Sequence, residues 1–380
     1  MKKLAILGPG VVGGSCAEIL LRDADLLERN AGEQLELSYV LARRALPDRP
    51  YKDKVVTDFS VIERDANVFL VIETIGGCGA ALEYVRRALA AGKHVVTANK
   101  QLIAEHGAEL LALAKANGVS LLFEASVGGG IPVLHPLSQC LGANEIYEVR
   151  GILNGTTNYM LSAMTNSGAD YAPALRKAQE LGYAEADPTA DVEGLDARRK
   201  IVLSADLAFG VNIREEDIPC VGISSITAGD IAKAKDEGLT YKLIARAEKS
   251  GRAVAAFVCP TLFPSSAPEA HTDGTGNLVT LFASRFGKQS FSGAGAGGYP
   301  TGSNVLRDCL DVADGCRSFY ADSFTPCSVN LSGTQCKGLI RCMVEDLTRE
   351  CSARESVDAY EAYRKDDPHA LLARYAAEEE

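Results

Sequence analysis

No apolar run in this chain approaches the roughly 18 residues that a membrane span requires. The N-terminus enters strand-like sequence at Leu4 without the charged, apolar and small-residue succession of a secretory signal, so a cytoplasmic protein with no membrane partner is expected. A basic excess is also lacking: 39 Lys and Arg stand against 50 Asp and Glu, for a formal charge of −11. Nucleic-acid binding wants a basic face and is therefore not expected. The 11 cysteines never fall as C-x-x-C, their number is odd, and the chain is too large to need disulfide stapling, which favours reduced thiols. Six of them, Cys309, Cys316, Cys327, Cys336, Cys342 and Cys351, gather late in the chain without histidines at zinc spacing.

What is present suits an enzyme of two or three domains. The chain has 380 residues, 47% of them hydrophobic, more than one core at about 100–200 residues per domain. It opens with LAILGPGVVGGSCAEILL, an apolar strand that meets Gly8, Gly10 and Gly13 and passes straight into a helical pattern. In that context the glycines have distinct uses: a tight turn, a close approach of backbone to a pyrophosphate, and close helix packing, with the helix N-terminus facing the anion. Val11 and Val12 share this loop. Alternating strands and helices follow, with strands at 35–42, 67–74, 93–99 and 121–127. That order indicates a parallel, Rossmann-type α/β sheet. An acidic residue after the second strand would favour a free ribose 2′-hydroxyl; here stand Arg43 and Arg44. A guanidinium fork matches a 2′-phosphate, so NADP(H) is preferred with NAD(H) the alternative, although either arginine also reads as a solvated loop charge. Gly76 and Gly77 read equally as cofactor lining or as a plain turn.

A second concentration of chemistry is the segment 178–200, AQELGYAEADPTADVEGLDARRK. Gly182, Pro188 and Gly194 break it into turns that aim Glu185, Asp187 and Asp191. Asp196 and Lys200 are four apart at the start of a largely apolar helix, IVLSADLAF, and so share one face. The plain reading is an acidic loop followed by a surface ion pair; the functional reading is a pocket for a small charged substrate.

The pattern Ala-x3-Gly-aromatic-Ala-x2-Asp-Pro-x2-Asp-Val-x-Gly-x-Asp-x3-Lys in this segment resembles the signature of the homoserine dehydrogenases. GILNGTTNYML at 151–161 and EASVGGGIPVL at 124–134 agree with it, and the resemblance covers about residues 1–317. It implies NADP(H)-dependent interconversion of L-homoserine and L-aspartate 4-semialdehyde in threonine and methionine biosynthesis. Lys200 would be the general acid/base, Asp196 would orient it or the substrate, and Lys100, following the strand in TANK, would make an auxiliary catalytic contact. Glu185, Asp191, Asp196, Gly155 and Thr156 would bind substrate. Gly8, Gly10, Val11, Val12, Gly13, Arg43, Thr97, Lys100, Gly182 and Gly297 would hold the cofactor. A sodium ion would be held by the backbone carbonyls of Glu124, Val127, Gly129 and Ile131, in a VGGGIP loop that by itself also reads as a hinge. A homodimer or higher homo-oligomer is implied.

The expected organisation is a nucleotide-binding domain of residues 1–135 plus 295–317, entered again through the glycine-rich turn and helix GAGAGGYPTGSNVLRDCLD. An inserted α+β substrate and dimerisation domain would occupy 136–294, with DIAKAKDEGLTYKLIARAEK helical and VAAFVCPTLF a strand. Residues 318–380, where the resemblance runs out, are expected to be a short, atypical C-terminal appendage. KGLIRCMVED there could be one strand, followed by a helical, charged end, which makes threonine regulation through it doubtful.

Overall fold

The structure is a computed structural model that describes residues 1–318, 325–332, 335–341, 346–367 and 370–376. Its chain divides into two compact units, Met1–Gln139 with Ala294–Phe324, and Cys140–Gly293 with Thr325–Glu380.

The first unit begins with β1 (Lys2–Leu7), α1 (Val11–Arg22), α2 (Ala24–Ala31), β2 (Leu35–Leu41), β3 (Val55–Val56), α3 (Phe59–Arg64), β4 (Val68–Glu73), α4 (Gly79–Ala90), β5 (His94–Thr97), α5 (Lys100–Ala116), β6 (Leu121–Leu122), α6 (Ala125–Gly128) and α7 (Leu134–Leu141). The six strands form one parallel sheet in the order β3-β2-β1-β4-β5-β6. Leu4, Ala5, Ile6 and Leu7 are all buried, as expected of a strand covered by helices on both faces. One expectation is corrected here: the strand anticipated at 121–127 stops after Leu122. Glu124 then starts a helical turn, with its carboxylate accepting the Val133, Leu134 and His135 N–H groups.

The second unit contains β7 (Ile146–Ile152), α8 (Gly155–Ser167), α9 (Tyr171–Glu180), α10 (Thr189–Val192), α11 (Leu195–Phe209), β8 (Val211–Ile213), α12 (Ala228–Asp236), β9 (Leu239–Ser250), β10 (Ala253–Pro264), β11 (Gly276–Ala283) and β12 (Gly287–Ala294). The expected helix over DIAKAKDEGLTYKLIARAEK is only half right. Gly238, at φ +72°, ends the helical part, and everything from Leu239 onward is strand. Lys, Leu, Ala, Arg and Glu favour helix locally, but β9 pairs along its whole length with β10 and on its other edge with β7, and Tyr241 to Ala245 are buried. Tertiary pairing overrides propensity there.

The chain then returns to the first unit as α13 (Gly298–Ala313). This helix crosses α1 at very close range: a Cβ at Gly298 would lie 2.4 Å from the Ser15 hydroxyl oxygen. Afterwards the chain re-enters the second unit with β13 (Thr325–Cys327), β14 (Gln335–Arg341), β15 (Asp346–Ser352), α14 (Ala353–Asp366) and β16 (Leu371–Tyr375).

This end corrects the expectation of a separate appendage. The large sheet runs β12-β11-β7-β9-β10-β16-β14-β15, with β16 parallel to β10 and antiparallel to β14, while β13 pairs with β8. Ala353, Val357, Tyr360, Ala370 and Leu372 share a buried cluster with Val221, Ala255, Phe257 and Cys259. The buried Arg374 lays its guanidinium 3.7 Å from the centre of the Phe257 ring. The tail therefore completes a core that β10 alone would leave open on one side. Among the described residues no helix is long and apolar enough to cross a membrane.

Candidate active site

In the first unit the glycine-rich turn joins β1 to α1. Gly8 has φ +88°, and a Cβ on Gly13 would lie 2.2 Å from the Gly8 carbonyl oxygen, so both positions require glycine. Thr74 reinforces the turn by donating its hydroxyl to that same carbonyl at 2.7 Å. Gly10, the N-cap of α1, carries no capping side chain, and the first turn of α1 holds no acid. The leading N–H groups of a twelve-residue helix are thus left for an anion, with space open over Gly10. Val11 is exposed and Val12 half-buried beside it. Arg43 and Arg44, two and three residues past the end of β2, are both exposed. Gly297 sits at φ +115° as N-cap of α13.

At the C-terminal edge of this sheet the fully buried Glu73 organises two loops at once. Its carboxylate accepts the Thr97 hydroxyl at 2.5 Å, the Ile75 N–H at 2.7 Å and the Gly76 N–H at 3.3 Å. Burial pushes its pKa up while those three donors pull it down, with burial the larger influence. Asn99 caps α5 through Leu102 N–H and donates its amide to the Gly77 carbonyl at 2.7 Å. Thr97 is therefore rigidly held and buried, and the half-buried Lys100 begins α5 beside it.

In the second unit the substrate candidates converge on Asn154. Lys200 and Asp196 are 8% and 9% exposed, and Lys200 Nζ lies 2.7 Å from Asp196 Oδ2. The same ammonium donates to the Leu153 carbonyl at 2.6 Å. Asn154 Nδ2 bridges two carboxylates, donating to Asp191 Oδ1 at 2.7 Å and to Asp196 Oδ2 at 3.0 Å. Its Oδ1 accepts the Thr157 N–H at 2.9 Å, which caps α8. Thr156 ties α8 to the acidic segment by donating to the Tyr183 carbonyl at 2.6 Å. The N-cap of α11 is Gly194, so Asp196 lies inside the first turn rather than capping it. The result is a buried cation and carboxylates held at hydrogen-bonding distance by a shared amide.

Not every candidate is brought to this cluster. Glu185 is exposed, and its main-chain carbonyl, rather than its carboxylate, accepts from Gln179. Asp187 is exposed and caps its own turn through Thr189 N–H and Oγ1 at 3.1 and 2.6 Å, donors that hold its carboxyl below the usual range. Gly182, at φ +76°, closes the end of α9. In the VGGGIP segment the Gly129 carbonyl accepts the Asn304 amide at 2.8 Å, and the Glu124 carbonyl accepts the Val127 N–H at a long 3.5 Å. The donor set there is hard oxygen, as a sodium or calcium-like ion prefers, with one lone pair of Gly129 already engaged.

Residues 8–124 match the model of the homoserine dehydrogenase NAD-binding domain, and residues 132–310 match that of homoserine dehydrogenase. The homoserine dehydrogenase of Corynebacterium glutamicum is 44% identical over 318 residues, which are 82% of this chain and 71% of that protein. This chain belongs to the homoserine dehydrogenase family. It is accordingly an oxidoreductase with a nicotinamide-nucleotide-binding domain. The homoserine dehydrogenase of Bacillus subtilis is 41% identical over 313 residues, 82% of this chain and 72% of the relative. The crystal structure of a homoserine dehydrogenase from Thiobacillus denitrificans superposes with a TM-score of 0.90 at 31% identity, covering 99% of this chain and 98% of that one. That coverage extends the family likeness beyond residue 317, where motif resemblance stopped.

Two residues organise these candidates in a way that local sequence does not show. Asn154 belongs to the GILNGTTNYML motif, but its partners Asp191 and Asp196 lie 37 and 42 positions away. Glu73 falls within the strand expected at 67–74; that its carboxylate anchors both the Thr97 hydroxyl and the 75–76 turn depends on the register of β4 against β5.

Proposed function

We propose that this chain interconverts L-homoserine and L-aspartate 4-semialdehyde with NADP(H) in preference to NAD(H), in the cytoplasm, as a step of threonine and methionine biosynthesis. The observation that carries the reading is the buried Lys200 ammonium, 2.7 Å from Asp196, within a carboxylate network centred on Asn154. A nicotinamide cofactor supplies the hydride when bound. During reduction, negative charge develops on the aldehyde oxygen; the Lys200 ammonium stabilises it and gives up a proton, and in oxidation the amine takes the proton back. Asp196 orients Lys200, and Asn154 keeps Asp196 in place. Asp191 and Glu185 receive the substrate ammonium, the natural partner of a carboxylate. The N–H groups of Gly155 and Thr156, in the first turn of α8, suit the substrate carboxylate.

For the cofactor, the uncapped α1 N-terminus with Gly8, Gly10, Val11, Val12 and Gly13 would take the pyrophosphate, and Arg43 the 2′-phosphate. Thr97 and Lys100 would border the nicotinamide end, with Gly297 and Gly182 as further contacts. Sodium would be held by the carbonyls of Glu124, Val127, Gly129 and Ile131, steadying the loop. A homodimer is the assembly we expect.

The test follows NADPH absorbance with aspartate semialdehyde, repeated with NADH and with Lys200→Ala, Arg43→Ala and Arg44→Ala. The expected result is turnover with NADPH that Lys200→Ala nearly abolishes, and an NADPH KM that rises for Arg43→Ala. An undiminished Lys200→Ala rate removes Lys200 from the chemistry, and a clear preference for NADH overturns the role of Arg43.

A further inference from the structure

Three side chains of different chemistry meet in the first unit, outside the groups assigned above. Cys78 is the N-cap of α4, and Glu105 and His106 are neighbours on α5. The Cys78 thiol donates to Glu105 Oε2 at 3.2 Å, and His106 Nε2 lies 4.0 Å from that same oxygen. One donor atom from each residue falls within 4.8 Å of the other two.

We propose that Cys78, Glu105 and His106 bind a borderline divalent cation of the Zn2+ class. Thiolate, imidazole and carboxylate together are the donor set such an ion takes, whereas Mg2+ and Ca2+ prefer oxygen alone. Tetrahedral coordination at about 2.0–2.3 Å per ligand places donor atoms about 3.3–3.6 Å apart. Two of the three edges, at 3.2 and 4.0 Å, lie close to that spacing, and the third, between Cys78 and His106, is within 4.8 Å. The other imidazole nitrogen, Nδ1, lies 3.9 Å from Glu109, a carboxylate placed to fix the ring and itself held by Arg86 at 2.6 Å. Gln101 steadies the other oxygen of Glu105 at 2.8 Å.

Binding is a simple exchange. The Cys78 thiol loses its proton to solvent and its sulfur bonds the metal, the neutral His106 and the ionised Glu105 bond without redox change, and a fourth position stays open to water. The site also has a structural consequence. The turn at 75–78 is already fastened by Glu73 at its start and by Asn99 through the Gly77 carbonyl; a cation would fasten its end to the second turn of α5.

The experiment titrates Co2+ and then Zn2+ into the full-length, untagged, reduced protein. Because other cysteines also bind these metals, the signal is read as the difference from Cys78→Ser. The expected result is a thiolate-to-Co2+ charge-transfer band of about one equivalent, displaced by Zn2+, with release of one proton. Cys78→Ser should lose it, and His106→Gln should weaken binding by more than the roughly 10–100-fold typical of an outer-shell partner. These side chains lie at or near the surface, so circular dichroism should report unchanged folds for both variants. No band in the wild-type protein, or a band of the same strength and affinity in either variant, overturns the site.

Discussion

Lys200 and Lys242 lie in the same unit, both almost sealed from solvent, and they contrast in what surrounds them. Lys242 is buried on β9 and donates to the Thr272 carbonyl at 2.7 Å and to Asn158 Oδ1 at 3.2 Å; its nearest carboxylate, Asp273, lies 3.5 Å away and is mostly exposed. Burial lowers its pKa more than Asp273 restores it. Lys242 is thus held at closest range by two neutral acceptors, with the exposed Asp273 at the limit of hydrogen-bonding distance, and it fastens the 272–276 turn, which Asn158 also holds. Lys200 faces a buried carboxylate at 2.7 Å, and that carboxylate connects through Asn154 to the half-buried Asp191. Burial of a lysine is therefore not what distinguishes the two. On the function proposed above, what sets Lys200 apart is that its partners lead to a half-buried carboxylate a substrate could reach.

Four outcomes would sharpen or break that contrast. The largest effect is expected for Lys200→Ala, whose kcat/KM should fall about 10²–10⁴-fold, the range of a lost general acid. Partial rescue by a small primary amine would separate lost chemistry from lost packing; no change in rate would put Lys200 in the same class as Lys242. Next, Asp191→Asn should raise the substrate KM about tenfold or more, since a hydrogen bond to a charged group contributes about 1.5–3 kcal/mol. Asp187→Ala, which removes only a turn cap, should leave KM near the wild-type value. Equal effects from the two would erase the division within the acidic segment.

Third, Lys242→Met should lower the stability measured by urea unfolding by about 1–3 kcal/mol, because the Thr272 and Asn158 oxygens lose a donor. The kcat of the folded variant should be unchanged, and a collapse of kcat would make Lys242 a second site lysine. The fourth outcome concerns Asp206, six residues beyond Lys200 on α11. Its carboxylate accepts the Ile213 N–H at 2.9 Å, and burial pushes its pKa up to about 8. A carboxyl protonated more readily when folded contributes stability below the ordinary carboxylate value and loses it as pH rises through about 8. The Tm of Asp206→Asn relative to wild type should therefore climb between about pH 4 and pH 8; a flat difference would show that Asp206 ionises normally.

The sheet of the first unit was legible because its strands are short apolar runs, each followed by a helical period, and because Gly8 and Gly13 occupy backbone positions that tolerate no side chain. The acidic segment was legible by its charge types and spacing. The second unit was less so. Its β9 is written in residues of good helix propensity, and only the facing strands β10 and β7 make it a strand. The tail misled for a related reason: β16 gains its partner from β10, where Arg374 pairs with Thr261, 113 positions earlier, and β14 joins the sheet only through β16.

By itself, then, the sequence determined the class of enzyme, the glycine turn and the presence of a lysine and carboxylates at a four-residue spacing, since each depends on residues close together along the chain. Only the tertiary structure decided that Asn154 joins Asp191 to Asp196, that Glu73 holds Thr97, that Lys242 has its shortest contact to a neutral carbonyl, and that the last strands extend the sheet of the second unit. Those are contacts between distant segments. They exist because strand register and core packing bring the segments together, and local spacing carries no record of them.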